Sequence, residues 1–423
     1  MSHIIDYQRV DDVLEDIIDY KYVQNKNADK TTYMLYNLLS KADKYIRRKK
    51  QGTCFNYNLT KINMISQIPK PEIYDISFFP DEIQLYIDNN AEYVLEFNCK
   101  IKSRNIVVRI ILCEKLDTDI ILTLSNYIYK IYIWIYMLDS LSSVKCSKNI
   151  ELYLYLTPFK KLLPDNQMTV LDAKHINTAF TSGCRENTQI VLYRSEEWFK
   201  VFIHETFHNF GLDFSDMNLS SVNKRIKDIF NMNIEYNLYE SYCETWARII
   251  NTMFFSYFSM PNKERDNQRM FINLFNQNME VESRHSLYQF TKILSFLELK
   301  YNMVIEKNTN NITICNHLYK ENTSVFSYYV ICGLLMNNYK DFMSWCCKNN
   351  NILVQFKKTP LNLDRYLDFI QKSSKNNNIK KNIHNIERSF MNGSFDITPT
   401  LRMSYLDIEQ VFNINYNNVI RKN

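Results

Sequence analysis

The sequence predicts an α+β protein in which a mixed β-sheet packs on one helix, with helical regions before and after it. Segments rich in β-branched and aromatic residues alternate with helical patterns up to about residue 194, and from about residue 218 onward the patterns are helical. The chain has 423 residues, of which 46% are hydrophobic, and this is enough to bury a substantial core. Strands that alternate with helices and are then followed by helices are typical of an α+β fold.

Three regions follow from this pattern. Residues 1–80 are expected to form a helical N-terminal region, because helical spacing and many charges fill 6–50 and three of the eight prolines lie in 68–82. Residues 81–260 are expected to form the central core region, which contains the mixed sheet and the helix that packs on it. Residues 261–423 form a helical C-terminal region with a polar loop near 371–385, where the sequence is rich in Asn, Lys and Ser.

Within the core the predicted elements follow one another in a definite order. The segments "AEYVLEFNCKI" and "NIVVRIILCE" are separated by the polar "KSRN", which is the pattern of a hairpin. A helix at 117–142 and strands at 150–156 and 188–194 come next. The apolar stretch 120–138 is almost long enough to cross a bilayer, but Asn126 and Lys130 interrupt it, and a lipid-facing charge costs about 3 kcal/mol. We therefore expect a buried helix and no membrane partner.

Charge and cysteine content exclude two further classes. A net charge of +5 from 51 basic and 46 acidic residues is too balanced for a nucleic-acid-binding protein, so no nucleic-acid partner is expected. The ten cysteines include no CxxC pair, and "MSHIIDYQRVDD" lacks the apolar run of a signal peptide. Reduced thiols and a cytoplasmic location are therefore predicted. The sequence gives no indication of the oligomeric state.

The stretch "KVFIHETFHNFGLDFS" at 200–215 carries the chemistry. His204 and His208 are four residues apart on a predicted helix that begins near Ser195 and ends at Gly211, so both imidazoles lie on one stripe and can bind a single Zn²⁺. Glu205 lies about 100° around the helix, beside the metal, where it can act as a general base. This is the HExxH pattern of zinc hydrolases.

A third ligand has several candidates. In one class of HExxH proteins, the metzincins, the third ligand follows a glycine by three residues. Three residues after Gly211 this chain has Phe214, which cannot bind a metal. Asp213 and Asp216 miss this register, so Asp213→Ala should hardly affect metal binding. Downstream, "NLYESYCETWARIINTMF" at 237–254 predicts a helix that carries Glu240 and Glu244 on one face. An ordinary exposed face, with Glu244 paired to Arg248, is the alternative reading of that helix.

These two motifs together resemble the gluzincin arrangement HExxH…ExxxE of zinc peptidases such as the lethal-factor-like and thermolysin-like groups. The region 170–255 is also similar to uncharacterised metallopeptidase-like proteins of giant DNA viruses, which would suggest a viral protein located in the host cytoplasm or the virion. The resemblance implies a zincin-like catalytic core with one Zn²⁺ held by His204, His208 and Glu240. Glu244 would support a histidine ligand, or take the place of Glu240 as the ligand.

The resemblance also suggests where a substrate would bind. The segment "HINTAFTSGC" occupies the place of the strand that borders the cleft in such enzymes, and its backbone could pair with a peptide. The candidate substrate-strand residues are Thr178, Ala179, Phe180, Thr181 and Ser182. Tyr236 and Tyr239 are within range as stabilisers of the developing oxyanion.

The expected function is therefore a zinc metallopeptidase that hydrolyses peptide bonds of a peptide or protein substrate, by Glu205-assisted attack of a zinc-bound water. Two alternatives stay open. One is a catalytically silent zincin-fold protein that serves as a binding or scaffold module, and the other is a zinc hydrolase that acts on a non-peptide substrate.

Overall fold

The computed structural model describes residues 2–20, 24–49, 53–73, 79–113, 116–393 and 397–411. Along the N-terminal half of the chain the elements are α1 (Ser2–Ile17), α2 (Lys26–Lys49), β1 (Tyr57–Lys61), α3 (Asp81–Asn90), β2 (Tyr93–Ile101), β3 (Arg104–Leu112), α4 (Thr118–Leu141), β4 (Asn149–Thr157), α5 (Ala173–Ile176), β5 (Ala179–Thr181), β6 (Asn187–Arg194) and α6 (Trp198–Asn209). The remaining elements are α7 (Ser220–Ile226), α8 (Leu238–Ser259), α9 (Gln268–Phe296), α10 (Tyr301–Ile305), α11 (Thr309–Leu318), α12 (Cys332–Met336), α13 (Tyr339–Asn349), α14 (Pro360–Ser374) and α15 (Asn377–Met391).

Six strands form one mixed sheet in the order β1-β2-β3-β4-β6-β5. The pairs β1–β2, β2–β3 and β5–β6 are antiparallel, whereas β3–β4 and β4–β6 are parallel. The parallel pairs need crossovers, which α4 provides between β3 and β4. The predicted α+β class and the β2–β3 hairpin are thus confirmed. The expectation of a wholly helical region 1–80 is wrong in one respect, since β1 adds an edge strand to the sheet.

The sheet is covered on both faces. On one face α3 and the loop before it enclose a small aromatic cluster that includes Phe79, Tyr153 and Tyr193. The other face packs on α4 and α6, and the much larger core there continues through α8 and the later helices. The indole N–H of Trp134 on α4 donates a hydrogen bond of 2.9 Å to the Thr206 hydroxyl on α6. This bond ties the crossover helix to the helix that carries the two histidines.

The apolar stretch on α4 is buried against the rest of the fold, as predicted, from Tyr127 through Leu138. Throughout the described ranges, no helix combines the length and the apolar character that a membrane span requires. Lys130, in the middle of α4, lies with its ammonium group 4.8 Å from the ring centre of Phe258, an aromatic contact that favours the buried charge.

The region 371–385 is helical, and this corrects the predicted polar loop. α14 ends at Ser374 and α15 begins at Asn377, after Asn376 caps it by accepting hydrogen bonds from the N–H groups of residues 378 and 379. Ile379, Ile383 and Ile386 recur at spacings of three and four and are buried. The three isoleucines anchor an otherwise polar helix, a signal that the Asn-rich composition obscures.

Four of the cysteines are paired, so the prediction of reduced thiols is wrong for them. Cys54 is bonded to Cys99, and Cys146 to Cys184. The fold brings these residues, 45 and 38 positions apart in the chain, to Cα separations of 4.9 and 5.0 Å, within the range that a disulfide needs. Spacing along the chain does not reveal such contacts, because they form only after the sheet has assembled.

Candidate metal site

The helix α6, which carries the HExxH motif, begins later than the sequence predicts. It starts at Trp198 rather than near Ser195, because Glu197 adopts a left-handed backbone conformation with φ 57°. Its carboxylate turns away from the helix to form a buried ion pair with Lys161. At the other end, Gly211 has φ 62° just beyond the last turn, so the predicted stop at this glycine agrees with the structure.

The two histidines of α6 meet a carboxylate of α8. The Nε2 atoms of His204 and His208 lie 3.3 Å apart. The Glu240 Oε2 atom lies 3.1 Å from the first of these nitrogens and 3.5 Å from the second. The three atoms therefore form a nearly equilateral triangle, and together these residues could hold a metal ion. The pairing that the sequence offered as an alternative, Glu244 with Arg248, is not formed, since Arg248 binds Glu282.

Glu244 lies behind the first histidine. Its Oε2 accepts a hydrogen bond of 3.1 Å from Nδ1 of His204, which leaves Nε2 of that ring directed at the triangle. Its Oε1 accepts a bond of 2.8 Å from the buried ammonium group of Lys200. Burial would raise the pKa of Glu244, but Lys200 and His204 lower it to about 2, so it stays ionised. Lys200 lies four residues before His204, and helical spacing could have placed it on the same stripe.

Asp213 contacts the second histidine, a contact that was not predicted from the sequence. Its Oδ2 accepts a hydrogen bond of 2.6 Å from Nδ1 of His208, and the residue is buried. The chain turns back sharply at Gly211, and this turn brings the carboxylate behind the imidazole rather than beside the metal position. Phe214 packs among aromatic rings, 4.3 Å from the ring centre of Phe356. Asp216 is exposed and pairs with Lys358.

The charges of the cluster are strongly coupled. Burial by itself would lower the pKa of His204, but its hydrogen bonds to Glu240 and Glu244 raise it to about 9. Burial would raise the pKa of Glu240, yet the two histidines hold it far below its ordinary value. Two imidazoles and a carboxylate within 3.5 Å of one another need a shared positive charge between them, from protons or from a metal ion.

Glu205 lines a small cavity that His204 also borders. Its side chain is almost fully buried, and among the described residues no donor forms a hydrogen bond to its carboxylate. Burial raises the pKa of Glu205, and the neighbouring His204 and His208 oppose this rise. Such a carboxylate, unpaired and next to the ligand set, is suited to accept and release a proton.

Tyr328 also lines this cavity, although no pattern in the sequence indicates it. The ring lies 5.8 Å from that of His204, between centres. It is carried by a π-helical turn, Phe326–Ile331, a rare conformation that is often found at functional sites. Burial and the nearby carboxylates of Glu240 and Glu205 raise its pKa well above the ordinary value, so its hydroxyl stays a donor.

The two tyrosines named from the sequence lie elsewhere. Tyr239 faces His208, with ring centres 6.0 Å apart, and Tyr236 is buried with its hydroxyl donating to the carbonyl of Met232. Neither of them lines the cavity beside Glu205.

The predicted substrate strand lies at the edge of the sheet. The carbonyl of Thr178 accepts from the N–H of Tyr193, and the N–H of Ser182 donates to the carbonyl of Gln189. Because antiparallel pairing alternates, Phe180 also faces β6, whereas the backbone groups of Ala179 and Thr181 point away from it.

One residue of α6 connects this edge to the histidine motif. The side-chain amide of Asn209, which directly follows His208, donates a hydrogen bond of 2.7 Å to the hydroxyl of Thr181. The edge strand is therefore fixed relative to the ligand set.

No family model, curated protein or solved structure matches this chain. Only the arrangement of its own side chains therefore bears on what the site does. That arrangement consists of three converging donor atoms, a supporting carboxylate behind each histidine, and a separate glutamate and tyrosine that share a cavity with His204.

Proposed function

We propose that the chain is a zinc-dependent metallopeptidase with a zincin-like core of the gluzincin type. The observation that carries this proposal is the triangle formed by His204, His208 and Glu240. Donor atoms bound to one tetrahedral zinc at about 2.0–2.1 Å lie about 3.3–3.4 Å from one another. The three separations here are 3.1, 3.3 and 3.5 Å, so the residues present fit such an ion with almost no movement.

The donor set also favours zinc on chemical grounds. Two imidazoles and one carboxylate, with the fourth position left to solvent, are a common ligand set of catalytic zinc. Hydrogen bonds from Nδ1 of each histidine to Glu244 and Asp213 fix the tautomer that leaves Nε2 free to bind. When bound, the ion supplies a Lewis acid that polarises a carbonyl group and lowers the pKa of water towards about 7.

Two side chains of the protein then transfer the proton and stabilise the negative charge that develops during the attack. Glu205 accepts the proton of the attacking water and delivers it to the leaving amine, a role supported by its raised pKa and by the absence of a hydrogen-bond donor to it within the described ranges. Tyr328 directs its hydroxyl as a donor toward the oxygen that becomes negative during the attack. Both side chains line the same cavity as His204, which is the proximity that a concerted role requires.

A peptide is the substrate class that the surroundings of the site favour. The outward backbone groups of Ala179 and Thr181 lie on an edge strand that flanks the cavity, and an extended peptide could pair with them as an added strand. Such pairing is independent of the peptide's sequence and would position one carbonyl group near the ion.

The proposal is tested by metal analysis of the purified protein combined with cleavage of an unbiased peptide library. We expect one zinc ion per chain, and a loss of at least about 100-fold in turnover for Glu205→Gln with the zinc retained. Glu235→Gln, an exposed glutamate outside the site, serves as the matched control and should be fully active. Bound zinc without turnover on any peptide would favour a silent scaffold or a non-peptide hydrolase instead.

A further inference from the structure

The cavity beside the proposed catalytic groups is small. It has a volume of about 50 Å³ and lies against His204, Glu205 and Glu244. A cavity of about 150 Å³ holds a benzene ring, so this one has room for only two or three carbon-sized atoms. A side chain that enters it can hardly be larger than that of alanine or serine.

Four apolar side chains contribute to its wall. Ile176 and Ala179 approach from the edge-strand side, Val201 from α6, and Met403 from the segment that follows α15. Met403 is only 5% exposed, and its sulfur lies 3.6 Å from the Lys200 ammonium group. Truncating Met403 would therefore enlarge the cavity directly.

Met403 is also held firmly in place. Its backbone N–H donates a hydrogen bond of 3.1 Å to the buried carboxylate of Glu197. Two residues earlier, the N–H of Leu401 donates a bond of 2.8 Å to the carbonyl of Lys161. These two hydrogen bonds fix the backbone of the segment that carries Met403 relative to Lys161 and Glu197.

The two lysines that line the cavity are already paired with carboxylates. Lys161 is ion-paired with Glu197, and Lys200 with Glu244. An acidic side chain that enters would lose its hydration without gaining a free cation from these lysines. The long side chains of lysine and arginine are excluded by the volume of the cavity, so it favours a small, uncharged group.

From these observations, and on the basis of the proposed peptidase function, we infer that Met403 closes a specificity pocket. The pocket restricts one of the two residues that flank the cleaved bond to glycine, alanine or serine. Met403 acts here as a specificity-determining residue that the HExxH motif and its supporting residues do not reveal.

The test compares the cleavage profiles of the zinc-loaded full-length chain and two enlarged variants. Wild type should accept only small residues at one flanking position. Met403→Ala and Val201→Ala, tested separately, should each increase cleavage of peptides with leucine or phenylalanine at this position. The increase should be at least tenfold relative to peptides with alanine at the same position, because one methylene in such a pocket changes selectivity by about 10–200-fold. Met279→Ala, a fully buried methionine of α9 outside the cavity, is the matched control and should keep the wild-type profile.

A binding measurement makes the test independent of turnover. Zinc-loaded Glu205→Gln should bind alanine hydroxamate at least tenfold more tightly than leucine hydroxamate, and adding Met403→Ala should remove this preference. A wild-type profile without restriction at either flanking position, or folded enlarged variants with unchanged profiles, would overturn the pocket while the peptidase stands. If zinc-loaded wild type cleaves nothing, the proposed function fails, and the hydroxamate pair still decides the pocket.

Discussion

Replacing Asp213 by asparagine tests whether the carboxylate behind His208 supports metal binding. The hydrogen bond from Nδ1 of His208 is 2.6 Å long and partly buried, and a bond of this kind to a charged group contributes about 1.5–3 kcal/mol. Loss of such a support from a zinc ligand typically weakens metal affinity by about 10–100-fold, which corresponds to about 1.4–2.7 kcal/mol. The two estimates agree, so we expect Asp213→Asn to lower zinc affinity by roughly 10–100-fold.

Competition for zinc against a chromogenic chelator measures this directly. The affinity should fall most for Glu240→Gln, which removes a donor atom of the triangle, and less for Asp213→Asn and Glu244→Gln, which remove supports. Asp216→Asn is the matched control, because its carboxylate is exposed and paired only with Lys358. An Asp213→Asn protein that binds zinc as tightly as Asp216→Asn would refute the supporting role of this residue.

Two further predictions concern the turn that carries Tyr328. Tyr328→Phe should lower kcat by about 100-fold with zinc content unchanged, because one hydrogen-bond donor to the developing oxyanion is lost. Tyr239→Phe should change kcat little. If Tyr239→Phe lowers kcat more than Tyr328→Phe does, the donor is Tyr239. Glu321 accepts a hydrogen bond from the N–H of Phe326 at the start of this turn, and burial raises its pKa from 4.5 to about 7. The stabilising contribution of protonated Glu321 is therefore complete below about pH 4.5 and is lost as the pH rises through about 7. The melting temperature of wild type should consequently fall relative to that of Glu321→Gln between pH 5 and 8. Melting temperatures that change in parallel with pH in the two proteins would contradict this.

The elements that the sequence predicts well are those with strong local signals. The β2–β3 hairpin, the buried helix α4 and the histidine helix each have a continuous pattern, and the structure contains all three within a few residues of the expected bounds. The convergence of Glu240 on the two histidines also agrees with expectation, because the apolar faces of α6 and α8 admit only a few ways to pack.

The features that were not predicted from the sequence depend on contacts between distant parts of the chain. Asp213 turns behind His208 because Gly211 reverses the chain, and no periodicity encodes that direction. Tyr328 reaches the site through a π-helical turn, which has no reliable sequence signature. The two disulfides likewise join strands and loops that become neighbours only in the folded sheet. In each case the local sequence is compatible with several outcomes, and packing selects one.

The anchoring of Met403 has a consequence for how the protein is made. The wall of the cavity joins residues as early as Lys161 to one that is translated about 200 residues after the histidine motif. The strands of the sheet and the residues of the candidate metal site leave the ribosome well before that segment. During this interval Glu197 and Glu282 lack the backbone N–H donors that the segment supplies later, and the part of the cavity wall formed by Met403 is absent. The part of the cavity wall that Met403 provides is therefore completed late in synthesis, after the candidate metal site.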